Sequence, residues 1–219
     1  ELLEPLGAGG NADLWRARRI GDPAQQPLAL KLLRPSDDPG RARARAAAFE
    51  REQTLLRDLK LPMVPRVMGA GSWRDGTQYL VLEALDGEAL CADALVGRSA
   101  LDLGLRLARD LGHLHRAGVV HGDLKPTNLL LASDGGLWLL DFGAARRIDS
   151  TDQAPLEVQA TPGWCAPEVA AGQAPTTRSD VYSAARVIES LGAELELAER
   201  LGSDGARRWR EALGGALDP

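Results

Sequence analysis

HGDLKPTNLL at residues 121–130 and LLDFG at residues 139–143 are the two most informative stretches of the chain. Each follows a short apolar run, which is typical of a buried strand, so each is expected to deliver a carboxylate to a loop. A single Asp or Asn in a loop usually serves a turn. Two linked stretches instead predict that Asp123, Asn128 and Asp141 face one cleft.

These residue types suit the chemistry of phosphate groups. Carboxylate and amide oxygens are ligands that suit Mg²⁺, so Asn128 and Asp141 are candidate metal ligands. Asp123 is the candidate to orient a hydroxyl nucleophile and accept its proton, and Lys125 the candidate to neutralise charge on the transferred group. The pattern favours a site that directs a hydroxyl toward a phosphate.

The two stretches resemble the catalytic loop and the metal loop of the protein kinases, H-R-D-L-K-x-x-N followed by D-F-G. The match is to bacterial eukaryotic-like Ser/Thr protein kinases, in a His-Gly-Asp variant. The resemblance implies that His121 packs against Phe142 and couples the two loops structurally. Gly122 replaces an arginine that usually binds the phosphate of a phosphorylated activation loop. Activity is therefore expected not to require that phosphate.

A glycine-rich turn lies near the start of the chain, between the predicted strands Leu3–Leu6 and Leu14–Ala17. Glycine lets backbone N–H groups approach phosphate oxygens closely, although such a hairpin also fits an ordinary β-turn. The turn resembles the kinase phosphate-covering loop, G-x-G-x-x-G-x-V, with Ala12 in place of the third glycine. The candidate phosphate-binding glycines are Gly7, Gly9 and Gly10.

Pro27–Leu33 is an apolar run interrupted only by Lys31. A buried lysine needs an anionic partner, whereas an edge lysine can extend to solvent. The run resembles the kinase V-A-I-K strand, whose lysine binds the α- and β-phosphates of ATP. Arg41–Leu59 is predicted as an amphipathic helix, with Ala46, Phe49, Leu55, Leu56 and Leu59 on its buried side. Its Glu52 is expected to pair with Lys31, and Glu50 is the alternative.

Residues 79–85 resemble the last strand of the small kinase lobe and the hinge after it. The resemblance implies that adenine bonds to the main chain of Glu83 and Leu85 and that Leu82 lies at the back of its pocket. Glu88 or Asp86 is the candidate for the ribose hydroxyls. Four residues are expected to supply apolar walls: Leu6, Leu14, Ala29 and Leu130.

Two segments are expected to hold the catalytic loop in place. Ser99–Ala117 is the clearest predicted helix, because its leucines recur on one face and Gly118 suits its C-terminal cap. RSDVYS at residues 178–183 resembles the start of the central helix of the large kinase lobe. Asp180 in that segment is expected to accept hydrogen bonds from the backbone around His121 and Gly122.

TPGWCAPE at residues 161–168 resembles the G-T-x-x-Y-x-A-P-E segment of Ser/Thr kinases. The resemblance implies that Thr161 hydrogen-bonds Asp123 and Lys125 and holds a peptide-docking loop at the site. Small-molecule phosphotransferases generally lack this segment, so a protein substrate is the better hypothesis.

The composition is that of an ordinary globular protein, 44% hydrophobic and 26% charged. A net charge of -5 gives no reason to expect nucleic acid or an anionic membrane as partner. Cys91 and Cys165 have no metal-ligand or redox spacing, which favours a reducing cytoplasm. No apolar run approaches the roughly 18 residues of a membrane span. Frequent Ala, Gly, Arg and Leu suggest a bacterial source.

The resemblance to protein kinases implies an α+β bilobal kinase fold in a single domain, residues 1–219. Its parts are a small antiparallel β-rich lobe with one helix (1–82), a hinge (83–88) and a mainly helical lobe, shortened or truncated (89–219). The expected reaction is ATP- and Mg²⁺-dependent phosphorylation of a protein Ser or Thr; the alternative is a pseudokinase that binds nucleotide or a partner. No oligomeric state is predicted. The predicted catalytic residues are Lys31, Glu52, Asp123, Lys125, Asn128, Asp141 and Thr161.

Overall fold

The computed structural model describes residues 1–8, 11–90, 99–149 and 161–192, together with residues 204, 207, 208 and 211. Gly9, Gly10 and Cys91 lie outside the described residues. The chain divides into two compact units, Glu1–Asp86 and Gly87–Pro219, and the division falls within residues 83–88. In the described part of the chain, no helix is long and apolar enough to span a bilayer.

A five-stranded antiparallel sheet forms most of the first unit, in the order β1-β2-β3-β5-β4. The apolar run of β3 suits a strand inside the sheet, and β3 has the bounds predicted for it. The strands are β1 (Leu2–Ala8), β2 (Ala12–Arg18), β3 (Pro27–Leu33), β4 (Val67–Ser72) and β5 (Gln78–Glu83).

The helix of the first unit, α1 (Pro39–Asp58), packs on this sheet. Asp38 caps it by accepting from the Arg41 N–H, and Pro39 occupies its first turn. Its buried residues are Phe49, Glu52, Leu55 and Leu56. Two residues of the predicted apolar face, Ala46 and Leu59, are only half-buried. Leu59 is the C-cap residue and has an extended backbone. Helical periodicity therefore no longer determines the direction of its side chain.

The second unit combines helices with short strand pairs. The helices are α2 (Ala100–Arg116), α3 (Pro167–Ala170) and α4 (Thr177–Ser190). The strands are β6 (Gly87–Ala89), β7 (Val119–Val120), β8 (Leu129–Ala132), β9 (Leu137–Leu139) and β10 (Arg146–Arg147). They pair as a three-stranded sheet, β6-β8-β9, and a two-stranded sheet, β10-β7.

Helix α2 has the structure that its sequence predicts. Ser99 caps it, Gly118 follows it with a φ of 76°, and its leucines at 103, 107, 111 and 114 are buried. The close approach of α4 to α2 occurs at Gly104, where an added Cβ would lie 3.2 Å from Ile188 Cγ2. Helix α2 leads directly into β7, so this packing fixes the start of residues 121–128.

Candidate active site

Asp123 is the centre of a hydrogen-bonded cluster in the second unit. Lys125 Nζ lies 2.6 Å from Asp123 Oδ2, and the Thr161 hydroxyl donates to Asp123 Oδ1 at 2.8 Å. Lys125 Nζ also donates to Thr161 Oγ1 at 3.0 Å. Both hydrogen bonds predicted for Thr161 are therefore present, and they hold the Asp123 carboxylate in one orientation.

Asn128 joins this cluster from a 3-10 turn, Pro126–Asn128. Its side-chain NH₂ donates to the Asp123 carbonyl at 2.8 Å and to Asp123 Oδ2 at 3.1 Å. Its backbone carbonyl accepts from Leu140 N at 2.8 Å, which ties the loop to the residue before Asp141. Because the amide nitrogen makes both bonds to Asp123, the side-chain oxygen is the atom of Asn128 that can ligate a cation.

Asp141 begins a second 3-10 turn, Phe142–Ala144, in an unusual backbone conformation. Its φ is 55° and its ψ is 79°, in the left-handed region that non-glycine residues rarely occupy. Such conformations concentrate at functional sites. Phe142 is buried and Asp141 is exposed, so the turn fixes the ring and leaves the carboxylate at the surface of the unit.

The donor set around Asn128 and Asp141 fits Mg²⁺. Within the described residues, no group of three or more His, Cys, Asp or Glu side chains is placed to hold a metal. Mg²⁺ usually takes one or two protein ligands, while substrate phosphates and water supply the others. One amide oxygen and one carboxylate are the hard ligands that such a site needs.

His121 connects the two loops, as its packing role predicted. The ring is fully buried and its centroid lies 4.9 Å from that of Phe142. Nε2 lies 3.0 Å from the Leu140 carbonyl, and Nδ1 lies 3.4 Å from the Asp123 N–H. In the tautomer with the proton on Nε2, the ring donates to the Leu140 carbonyl and accepts from the Asp123 N–H, so His121 joins the two loops.

Asp180 supports the catalytic loop from helix α4. Its side chain is 1% exposed; Oδ2 accepts from His121 N at 2.8 Å and Oδ1 from Gly122 N at 2.9 Å. Both bonds were predicted. His115 was not predicted, yet its Nε2 lies 2.9 Å from Asp180 Oδ2. Its position four residues after the buried Leu111 is the signal that identifies it, because it shares that helix face.

Gly122 fills a place that no side chain fits. Its φ is 82°, and an added Cβ would lie 2.6 Å from the Ala144 carbonyl oxygen and 3.1 Å from Pro175 Cγ. The sequence indicated only that an arginine is missing here. The structure adds that the glycine permits close approach of the backbone at residue 144.

Lys31 and Glu52 form an ion pair in the first unit. Lys31 Nζ lies 2.5 Å from Glu52 Oε1, and the two side chains are 15% and 4% exposed. The alternative partner, Glu50, instead accepts from Gln78 Nε2 at 2.8 Å. The structure therefore assigns Glu52, and the pair satisfies two charges that are costly to bury singly.

The apolar residues predicted near Lys31 occupy one face of the sheet. Leu14 lies opposite Lys31 on the neighbouring strand, and Leu82 lies opposite Ala29. Side chains two apart on a strand share a face, so these four residues lie together. Nearer the turn, Gly7 lies opposite Leu14, and Leu6 lies in the irregular register between Pro5 and Gly7.

Glu83 is held at the end of β5 by Arg66. Its N–H donates to the Arg66 carbonyl at 3.0 Å, and its carboxylate accepts from Arg66 N at 2.8 Å and Nε at 2.9 Å. The hydrogen bond to this carboxylate raises the pKa of the Arg66 guanidinium. Leu85 follows β5 and is half-buried. The adenine-binding roles predicted for this segment remain predictions.

Glu88 and Leu130 are placed by the small sheet of the second unit. Glu88 lies in β6 opposite Leu131 and is exposed, and Leu130 lies in β8 opposite Ala89 and is half-buried. Neither contacts the Asp123 cluster through a hydrogen bond among the described residues.

Comparison with known proteins identifies relatives over most of the chain. A sequence model of the protein kinase domain matches residues 1–203. A probable serine/threonine-protein kinase of Clostridium perfringens is 30% identical over 197 residues, covering 87% of this chain and 28% of that protein. One of Streptomyces coelicolor is 31% identical over 204 residues, covering 87% and 29%. A serine/threonine-protein kinase of Myxococcus xanthus is 33% identical over 195 residues, covering 83% and 23%. The chain thus spans less than a third of the length of these relatives.

Proposed function

Because the chain belongs to the protein kinase family, we propose that it transfers the γ-phosphoryl group of ATP to a Ser or Thr hydroxyl of a protein substrate. The cluster of Asp123, Lys125 and Thr161 carries the proposal, since it joins a fixed carboxylate to the peptide-docking segment. The relatives from these three bacteria are named as serine/threonine-protein kinases, which supports the Ser/Thr class.

The residues of the cluster have separate tasks in this reaction. Asp123 orients the acceptor hydroxyl and accepts its proton, because Thr161, Lys125 and Asn128 hold its two oxygens in place. Lys125 offsets negative charge on the group in transfer. The protein forms no covalent bond, so orientation and electrostatics supply the rate.

The remaining predicted residues bind the nucleotide and its metal. Asn128 Oδ1 and the Asp141 carboxylate would hold a Mg²⁺ ion, which would supply positive charge to offset that of the ATP phosphates. Lys31, paired with Glu52, would bind the α- and β-phosphates, and Gly7, Gly9 and Gly10 would cover them. The proposed adenine and ribose contacts are Leu6, Leu14, Ala29, Leu82, Glu83, Leu85, Glu88 and Leu130.

The experiment that tests the function is phosphoamino-acid analysis of a generic basic protein after incubation with the chain, Mg²⁺ and labelled ATP. Label on Ser or Thr is expected. Lys31→Met should lower the turnover number about 10²-fold, the usual cost of removing one preorganised phosphate-binding charge. Lys60→Met removes an exposed lysine and should leave turnover unchanged. ATP binding without transfer would instead favour the pseudokinase.

We also infer that activity does not depend on a phosphorylated activation loop. Position 122 has no guanidinium, and the space beside it is filled by Ala144 and Pro175. Phosphatase-treated protein and the Ser150→Ala, Thr151→Ala double variant should therefore keep turnover within about twofold of the untreated chain, because no arginine at 122 receives the phosphate. A large loss in both would contradict the inference.

A further inference from the structure

Asp13 and Arg34 form an ion pair beside the glycine-rich turn, and neither residue has a role in the proposed chemistry. Arg34 Nε and Nη2 both donate to Asp13 Oδ1, at 2.9 and 2.5 Å. The backbone N–H of Arg34 donates to the Asn11 carbonyl at 2.9 Å. One residue at the end of β3 thus holds the exit of the turn through both its side chain and its backbone.

The strand register places this pair away from Lys31. Asp13 lies opposite Leu32, and Lys31 lies opposite Leu14. Since neighbouring residues on a strand face opposite sides, the face of Asp13 is the one that Lys31 does not occupy. Arg34 follows Leu32 by two residues and is a diagonal neighbour of Asp13 on that face. The pair therefore acts on the turn rather than on a nucleotide at Lys31.

Stability does not explain the pair. Its side chains are 38% and 37% exposed, and ion pairs this accessible contribute little to the free energy of unfolding. The hydrogen bond from Arg34 lowers the pKa of the Asp13 carboxyl, so the contact is kept throughout the neutral range. What the contact does constrain is the position of Asn11 and Asp13, at the exit of the turn.

We infer that Asp13 and Arg34 are a positioning pair for the glycine-rich turn. By joining Asn11 and Asp13 to Arg34, which directly follows β3, they set the exit of the turn at a fixed spacing from Lys31 for binding the ATP phosphates. This inference rests on the proposed kinase function. Binding residues that are held in place before the ligand arrives lose less conformational entropy on binding, so loss of the contact that holds Asn11 and Asp13 should weaken nucleotide affinity more than it slows transfer.

The chain contains a matched control for this pair. Arg18 Nε and Nη2 both lie 2.7 Å from Glu1 Oε2, which reproduces the geometry at the other end of the β1–β2 hairpin. Asp13→Asn and Glu1→Gln therefore remove equivalent charges from equivalent ion pairs. The charge swap, Asp13→Arg with Arg34→Asp, exchanges the positions of the two charges and so restores an ion pair.

The binding experiment is calorimetric titration of the chain with Mg²⁺–ATP. Asp13→Asn should weaken binding about fivefold, as expected when Asn11 and Asp13 are less firmly held before binding. Glu1→Gln should bind like the wild type, and the charge swap should recover most of the loss. Equal affinities of Asp13→Asn and Glu1→Gln would overturn the inference, and so would a charge swap no better than Asp13→Asn.

A second readout needs no nucleotide: hydrogen exchange of the Arg34 amide, which donates to Asn11. Asp13→Asn should speed this exchange and Glu1→Gln should not. If the wild type fails to bind Mg²⁺–ATP, the proposed function falls, and with it the nucleotide part of the inference. If the wild type binds Mg²⁺–ATP but Arg34 exchange is unchanged in Asp13→Asn, the positioning pair alone is overturned.

Discussion

Replacing Asp123 by asparagine is expected to lower the turnover number about 10³-fold, within the range that general bases contribute. Asparagine has the same shape and still accepts a hydrogen bond from Lys125 or Thr161, so the loop should keep its structure. Its amide cannot take a proton from the acceptor hydroxyl. The loss should therefore appear in turnover rather than in the affinity for Mg²⁺–ATP.

The measurement is ADP release, with intact mass recorded after incubation with ATP and Mg²⁺. Asp134→Asn is the control, because Asp134 is an exposed turn residue whose carboxylate accepts from Gly136 N at 2.8 Å. Phosphate-sized mass gains in the wild type and the control, but not in Asp123→Asn, would place Asp123 in the reaction. If the turnover of Asp123→Asn stays within tenfold of the wild type, a group other than Asp123 accepts the proton of the acceptor hydroxyl.

Replacing Asp180 by alanine should have the largest effect on the structure of the second unit. The change leaves the N–H groups of His121 and Gly122 buried without their acceptor and removes the partner of His115. A buried donor left without its acceptor usually costs about 1–3 kcal/mol. Because the backbone that carries Asp123 is held by these bonds, turnover should fall as well.

Hydrogen exchange is the suitable measurement, since a chain of two units need not unfold in one step. In Asp180→Ala the amides of His121 and Gly122 should lose protection. Asp102→Ala is the control: Asp102 occupies the first turn of α2, as Asp180 does in α4, but it is exposed. Its loss should remove only a helix-dipole contribution of about 0.3–1 kcal/mol. If the amides of His121 and Gly122 exchange at similar rates in both variants, Asp180 contributes only a helix-dipole interaction.

Periodicity was sufficient to predict single elements of this molecule, whereas the resemblance to protein kinases implied the fold. The leucine spacing of α2 identifies a helix with one buried face, and the apolar run of β3 identifies a strand with buried residues on both faces. The sequence offers Glu52, with Glu50 as the alternative, as the partner of Lys31, and helix geometry distinguishes the two. Glu52 lies three residues after Phe49 and four before Leu56, both buried, so it shares the covered face. The same rule applied to His115 would have added it to the site.

Contacts between distant segments needed other information. The bonds of Thr161 to Asp123 and Lys125 join residues far apart in the chain, and only the resemblance to protein kinases predicted them. The Asp13–Arg34 pair depends on strand register, which alternation within one strand does not specify. The left-handed backbone of Asp141 has no sequence signal, because aspartate tolerates that region without requiring it.

The close approach at Gly122 also limits how the protein can change. An arginine would need a Cβ where the Ala144 carbonyl oxygen is 2.6 Å away, on a backbone with a φ of 82°. Contacts shorter than normal van der Waals distance must be relieved by shifting the backbone, so a single codon change cannot introduce a phosphate-sensing arginine without moving the segment that follows Asp141. Evolution or design of such a switch in this chain would have to alter both loops together.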